Sequence, residues 1–132
     1  MPYPVAAVRN KVFGNPQHSD LVLSLSPLAY WPLNEISGTA AVDLVGAHNG
    51  AYTGADLGQS QPPFTAPLFD GANDFVNIYS AWLNTNWSRS EFSVALWIKP
   101  VDVGAWTDGT LRRALSISTA GAGNERLAFS KG

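Results

Sequence analysis

The sequence predicts an all-β protein built from short antiparallel strands. Twelve glycines and nine prolines interrupt the 132 residues, so few stretches are long enough for an ordinary helix. Aromatic residues make up 11% of the chain, and their side chains favour strands. Residues 92–98 show the strict alternation of a strand with one apolar face. The length and the 45% hydrophobic content fit one globular domain's worth of chain.

Along the chain, the first predicted element is one apolar helical turn over residues 21–25. Ser19 and Asp20 precede it, and both residue types accept hydrogen bonds from the first N–H groups of a helix. Short strands are then expected wherever an apolar run lies between turn residues. They cover residues 29–33, 50–53, 67–69, 75–79, 111–118 and 126–130.

The best-defined strand is predicted at residues 92–98. Its apolar face is formed by Phe92, Val94, Leu96 and Ile98. Since Ala95 and Trp97 make the opposite face half apolar, we expect this strand to be central, with both faces covered. Trp31 and Trp97 are accordingly expected in the core.

Turn residues separate the predicted strands. Asn49-Gly50 tolerates positive φ angles, and residues 70–74 (Asp-Gly-Ala-Asn-Asp) have the composition of a five-residue hairpin loop. Residues 56–67 are rich in Gly, Gln, Ser and Pro without periodicity, so a surface loop is expected there. Links this short favour antiparallel pairing.

Composition excludes several classes of protein. The formal net charge of −2 offers no cationic field for a nucleic acid. No apolar run reaches the roughly 18 to 20 residues of a membrane span. Cysteine is absent, which removes disulfides and thiolate chemistry. The first residues lack the order of a secretory signal peptide, so export by that route is not expected.

Several sequence segments together resemble a known family. They are PLAYWPLNE at 27–35, SGT at 37–39 followed by Asp43, NGAY at 49–52, LFDG at 68–71 with NDFV at 73–76, and FSVALWIKP at 92–100. In this order and spacing, over about residues 21–130, they resemble laminin-G-like domains of the concanavalin A-like lectin and glucanase superfamily. The resemblance implies an antiparallel jelly-roll sandwich of two sheets, with a domain at 21–132 and an N-terminal extension at 1–20.

The resemblance also predicts that the sandwich is incomplete at its C-terminal end. Relatives of this kind usually have further strands after the one that residues 126–130 resemble, whereas the sequence stops at Gly132. An uncovered sheet face and unpaired edges are aggregation surfaces. We therefore expect neighbouring subunits, or residues beyond Gly132, to cover them. The rival expectation is that about seven strands close a smaller sandwich.

No enzyme site is expected. Acidic residues are scattered singly, without the paired carboxylates of a glucanase cleft. His18 and His48 stand 30 positions apart and have no metal-ligand spacing. Neither a nucleophile elbow nor a phosphate-binding loop occurs.

Two kinds of binding site remain open. Laminin-G-like relatives often carry calcium, and the hard oxygen donors available here are Asp43, Asp70, Asn73 and Asp74. The competing interpretation is that these residues bond their own backbone in turns. Of the five tryptophans, those in polar, loop-like surroundings are candidate glycan platforms: Trp82, Trp87 and Trp106. The competing interpretation is that they cap the edge of the sandwich, because Trp is usually mostly buried.

The function expected from these features is a non-enzymatic virion-associated structural or attachment module. Phage tail, fibre and capsid-decorating proteins carry domains similar to this one, and are made in the host cytoplasm without a signal peptide. Residues 1–20 combine Pro and Gly with apolar Val and Phe, and could lie along another virion subunit. The alternative is an extracellular carbohydrate-binding lectin-type domain of a larger secreted enzyme or adhesin. A hydrolase is compatible only with catalytic strands beyond Gly132.

Overall fold

The computed structural model describes residues 16–62, 64–88, 90–102, 104–107, 109, 112–118 and 125–131. Among them are helices α1 (Pro16–Ser24), α2 (Ala81–Asn86) and α3 (Gly104–Thr107), and strands β1 (Ala40–Ala41), β2 (Gly50–Thr53), β3 (Asp56–Gln61), β4 (Phe64–Leu68), β5 (Phe75–Asn77), β6 (Arg112–Ser118) and β7 (Glu125–Lys131). All strand pairs described are antiparallel, as the sequence predicted. The chain divides into two compact units, Met1–Phe92 and Ser93–Gly132.

The first unit contains a three-stranded sheet in the order β1-β2-β5. In its register Ala41 lies opposite Gly50, and Tyr52 lies opposite Val76. The predicted strand at 50–53 is confirmed in full, and the one at 75–79 is confirmed as Phe75–Asn77. β2 pairs with a strand that follows it by more than 20 residues, so the chain leaves this sheet after β2 and returns to it at β5.

The residues between β2 and β5 include a β-hairpin, so the prediction of a surface loop at 56–67 is wrong. Strands β3 and β4 pair from Gln61 opposite Phe64 to Asp56 opposite Leu68, with an irregularity between Asp56 and Gln59. The segment Asp-Leu-Gly-Gln-Ser-Gln has little apolar alternation of its own. It is a strand because it pairs with β4. The predicted strand at 67–69 consequently begins earlier, at Phe64.

Residues 70–74 do not form a hairpin loop, contrary to the prediction. Strand β4 before this loop pairs with β3, and strand β5 after it pairs with β2. The loop therefore carries the chain from one sheet to another.

The second unit contains β6 and β7, which pair antiparallel. The strands predicted at 111–118 and 126–130 are confirmed as Arg112–Ser118 and Glu125–Lys131. The register sets Leu115 opposite Phe129 and Ile117 opposite Leu127. Leu111, where the predicted strand began, lies outside the described residues.

Helix α1 is longer than the predicted turn at 21–25. Pro16 suits a first helical position, since its fixed φ and missing N–H cost nothing there. The helix ends where Ser26 turns to a left-handed φ of 52° and donates to the Leu23 carbonyl at 3.0 Å, just before Pro27. The described part of residues 1–20 therefore belongs to a helix, and residues 1–15 lie outside the described chain.

Two predicted strands are wrong. Residues 29–33 lie outside any strand, because their polar contacts run to side chains and loops instead of to a neighbouring strand. Residues 92–98 also lie outside any strand, since no described strand pairs with them. Trp97 is 92% exposed, so it does not belong to the core, while Trp31 is half-buried.

The best-buried side chains lie in the first unit. Among the described residues, the buried apolar side chains are those of Ala41, Tyr52 and Leu83, and the buried charged side chain is that of Asp43. Leu83 belongs to α2, whose first turn is capped by Ser80: the Ser80 Oγ accepts a 3.0 Å hydrogen bond from the Leu83 N–H. The core of this unit thus centres on β1, β2, α2 and the carboxylate of Asp43.

Candidate functional site

The Asp43 carboxylate accepts hydrogen bonds from four backbone N–H groups. Oδ1 accepts from Tyr30 at 2.9 Å and from Val45 at 3.0 Å. Oδ2 accepts from Gly46 at 3.0 Å and from His48 at 3.2 Å. A carboxylate has about four lone-pair positions, so these donors use them all. We call residues 42–49, which surround this carboxylate, the Asp43 loop.

Opposing effects set the protonation of Asp43, which is only 4% exposed. Burial by itself would raise its pKa, but the backbone hydrogen bonds from Tyr30, Val45, Gly46 and His48 stabilise the ionised form. Their sum holds the pKa of Asp43 below its ordinary value of 3.8. The side chain is therefore an anion that organises the chain around it.

Further bonds close the Asp43 loop. The Asp43 N–H donates to Asn49 Oδ1 at 3.0 Å, and the Leu44 N–H donates to the Tyr30 carbonyl at 2.9 Å. Ala47 has a φ of 56°, an uncommon conformation for a residue with a side chain. The carboxylate bonds on either side of Ala47 hold the backbone in this conformation.

His48 joins the Asp43 loop to α2. Its imidazole stacks on the indole of Trp82, with 3.9 Å between ring centroids and 12° between ring planes. The Trp31 Nε1–H donates to the His48 carbonyl at 3.1 Å. Two of the tryptophans thus contact the same residue, one through its ring and the other through its N–H.

Glu35 and Tyr52 form a second polar contact beside the sheet. The Tyr52 hydroxyl donates to Glu35 Oε2 at 2.7 Å, and the Val42 N–H donates to Glu35 Oε1 at 2.7 Å. Burial and the negative charge of Glu35 both raise the pKa of Tyr52 well above its ordinary value of 10.0. Glu35 therefore holds the start of the Asp43 loop against β2.

The other proposed calcium ligands lie in the loop that follows β4. The Asp70 N–H donates to Asp74 Oδ2 at 2.9 Å, and the Ala72 N–H donates to Asp70 Oδ1 at 2.8 Å. Asn73 is exposed. These are the local bonds that Asp makes in turns. The described residues hold no group of three His, Asp or Glu side chains placed to share a metal ion, and calcium binding remains a prediction.

The three tryptophans proposed as glycan platforms lie in different surroundings. Trp82 is half-buried against His48, and Trp87, which ends α2, packs its ring 5.1 Å from that of Phe92. Trp106 belongs to α3, and its side chain lies outside the described residues. Of the two whose side chains are described, Trp82 makes the closer ring contact, at 3.9 Å against 5.1 Å.

Sequence reasoning missed two residues of this site. The sequence gives His48 no metal-ligand spacing and indicates no other role for it, whereas it is half-buried and its ring stacks on Trp82. Glu35 was not singled out as a partner for Tyr52, which stands 17 positions away. No local pattern links either pair, because both contacts depend on how β1, β2 and α2 come together.

In the described part of the chain, no helix is long and apolar enough to span a bilayer. Comparisons of the chain with protein-family models, with curated proteins and with solved structures gave no significant match.

Proposed function

We propose that this protein is a non-enzymatic structural or attachment module of a virion, in a phage tail, a fibre or a capsid decoration. The observation that carries the proposal is a continuous exposed stretch: each residue of 90–102 is exposed, including Phe92, Leu96 and Trp97. Large contiguous apolar surfaces on soluble proteins mark sites of protein association. A module that works inside an assembly has such a surface covered by its neighbours.

A non-enzymatic role is supported by the hydrogen bonds that two carboxylates accept. Both oxygens of Asp43 accept hydrogen bonds from backbone N–H groups, and Glu35 accepts from the Val42 N–H and the Tyr52 hydroxyl. A general acid or base needs an oxygen within hydrogen-bond reach of a substrate proton. These two carboxylates act instead as anchors of the loop between β1 and β2.

The fold proposed for this module is the laminin-G-like jelly roll implied by the sequence resemblance. Antiparallel pairing throughout the described strands supports it, as does the return of β5 to pair with β2. Residues 1–20 are proposed to attach the module to another virion subunit, because their apolar residues are spaced among Pro and Gly in a stretch suited to lying along a partner.

Immunogold electron microscopy tests the virion role. Virus particles are purified from cultures that produce the chain and labelled with an antibody raised against it. We expect gold at one place on the particle, on the tail, the fibres or the capsid. A variant lacking residues 1–15, which leaves helix α1 intact, should be produced but absent from the particles. Unlabelled particles together with free chain in the medium would contradict the proposal.

The alternative, a glycan-binding domain of a secreted enzyme or adhesin, is favoured by one observation. The stack of His48 on Trp82 fixes an indole plane, and rigid aromatic planes are what sugar rings pack against. A glycan array probed with the full chain tests it. Loss of a positive signal in Trp82→Ala, but not in Trp97→Ala, would support this alternative.

A further inference from the structure

We propose that residues 91–99 form an antiparallel strand pair with the same residues of a second copy of this chain, centred on Ala95. The inference rests on the proposed function as an assembly module and names the partner of its exposed stretch. A strand added in this way gains main-chain hydrogen bonds, and its side chains select the register.

The segment is exposed and lies outside any helix or strand, with the Glu91 N–H donating to Ser88 Oγ at 3.2 Å and the Phe92 ring packed on Trp87. Residues 92–100 lie outside any helix or strand, and the side chains of 90–102 are all exposed. Exposed fractions reach 50% for Phe92, 54% for Ile98 and 92% for Trp97. Among the described residues, no backbone-to-backbone hydrogen bond involves 92–98, and no residue of this stretch has a positive φ. The backbone can therefore enter a strand without inverting any residue.

The apolar pattern is the same read in either direction about Ala95. Antiparallel pairing centred there sets Phe92 opposite Ile98 and Val94 opposite Leu96, and opposite residues share a face of the pair. Both copies then contribute their apolar residues to one face. A slip of one residue would set that apolar face against the face of Ser93, Ala95 and Trp97, which is unfavourable.

The charges of Glu91 and Lys99 favour this register over registers shifted by two residues. Pairing about Ala95 places Glu91 of each copy opposite Lys99 of the other, so the two-fold symmetry makes the contact twice. Opposite charges directly across an antiparallel pair are stabilising, and like charges are destabilising. A slip of two residues separates Glu91 from Lys99. Pro100, which has no N–H to donate, ends the pairing after Lys99.

Charge reversal tests the register in the full chain. The dissociation constant of the dimer is measured by sedimentation equilibrium for the wild type, Glu91→Lys, Lys99→Glu and the double variant E91K/K99E. We expect each single variant to weaken dimerisation about tenfold, since each sets like charges opposite each other twice. The double variant should return to within about threefold of the wild type. A wild-type chain that stays monomeric, or single variants that dimerise as tightly as the wild type, would overturn the proposal.

Cross-linking tests the position of the two-fold axis. The chain has no cysteine, so Ala95→Cys introduces one thiol, and the two copies of position 95 face each other at a Cα separation of about 4.5 to 5.5 Å, within disulfide range. Ser90→Cys is the matched control in the same exposed segment, because its two copies would lie about 34 Å apart. We expect mild oxidation to link Ala95→Cys and to leave Ser90→Cys unlinked. Equal yields at the two positions, or no link at position 95, would contradict the pairing.

These measurements separate the inference from the proposed function. A chain that enters virions but shows no effect of charge reversal disproves the strand pairing and leaves the virion role standing. A chain that dimerises as described but labels no particle supports the pairing and disproves the virion role.

Discussion

The hydroxyl of Tyr52 and the carboxylate of Glu35 lie 2.7 Å apart and join strand β2 to the segment that precedes β1. Tyr52 is buried at the centre of the β1-β2-β5 sheet. The other oxygen of Glu35 accepts from Val42, the first residue of the Asp43 loop. One carboxylate thus fixes both the sheet and the loop, and the neighbouring carboxylate of Asp43 fixes the loop interior.

Replacing Asp43 by Asn is expected to destabilise the fold. The amide keeps the size of the carboxylate but replaces one acceptor oxygen by an NH2 group, which faces backbone N–H donors. Two buried donors then lose their acceptor, at about 1 to 3 kcal/mol each. We expect a loss of about 2 to 5 kcal/mol in the free energy of unfolding, measured by urea titration of tryptophan fluorescence. Asp56→Asn, at an exposed residue, is the control and should change stability by less than about 0.5 kcal/mol.

Acid should remove the contribution of Asp43. Because its pKa in the folded chain lies below the ordinary 3.8, its stabilisation is complete above about pH 5 and is lost as the pH falls through 3.8 toward the folded value. Unfolding free energies measured between pH 6 and pH 2.5 should therefore decrease more steeply for the wild type than for Asp43→Asn. Parallel curves for the two proteins would show that Asp43 is not the group responsible.

Alkaline pH should act through Tyr52. Its pKa in the folded chain lies above the ordinary 10.0, so the folded state holds this proton more tightly, and stability decreases as the pH rises above 10. Among the four tyrosines, one should ionise last in a titration of tyrosinate absorbance. We expect Tyr52→Phe to remove that late step, whereas Tyr79→Phe, at a 70% exposed residue, should leave it in place.

Gly54 should tolerate no side chain. Its φ is 78°, and a Cβ added there would overlap the Asp74 Oδ1. Relief would require Asp74 to move and to give up its bond from the Asp70 N–H. Gly38→Ala is the matched control, since Gly38 has a φ of 97° with open space around it. Thermal unfolding should show a cost of about 1 kcal/mol for Gly38→Ala and more than about 2 kcal/mol for Gly54→Ala.

The competing turn interpretation of the candidate calcium ligands predicts that calcium leaves stability unchanged. The Asp43 oxygens are taken by backbone donors, and one oxygen of each of Asp70 and Asp74 is used in the same way. A cation that binds only the folded state raises its melting temperature in proportion to binding. Melting curves in calcium and in chelator should superimpose. A higher melting temperature in calcium would instead favour the calcium site predicted from the sequence.

Local sequence patterns were sufficient for some strands and insufficient for others. The runs at 50–53 and 75–77 are short, apolar in alternation and bounded by turn residues, so their conformation follows from neighbouring residues. Residues 56–61 lack that signal and become a strand only because β4 pairs with them. Residues 92–98 have the strongest alternation, yet no described strand pairs with them. Alternation of apolar and polar residues indicates which face a strand would bury. To form a strand, the segment also needs a neighbouring strand that hydrogen-bonds to its backbone.

The sequence by itself determined that the chain is rich in antiparallel strands. The signals for strands and turns are glycine, proline and period-two alternation, and each can be recognised within a few neighbouring residues. The sequence also identified Asp43 and Trp82 as residues of interest. Only the tertiary structure decided what they do. The Asp43 carboxylate accepts hydrogen bonds from the N–H groups of Tyr30, Val45, Gly46 and His48, and Trp82 stacks on His48 across 34 positions of chain. The physical reason is that a buried carboxylate or indole is stabilised by whichever donors and rings the packed chain brings to it, and those partners are distant in sequence.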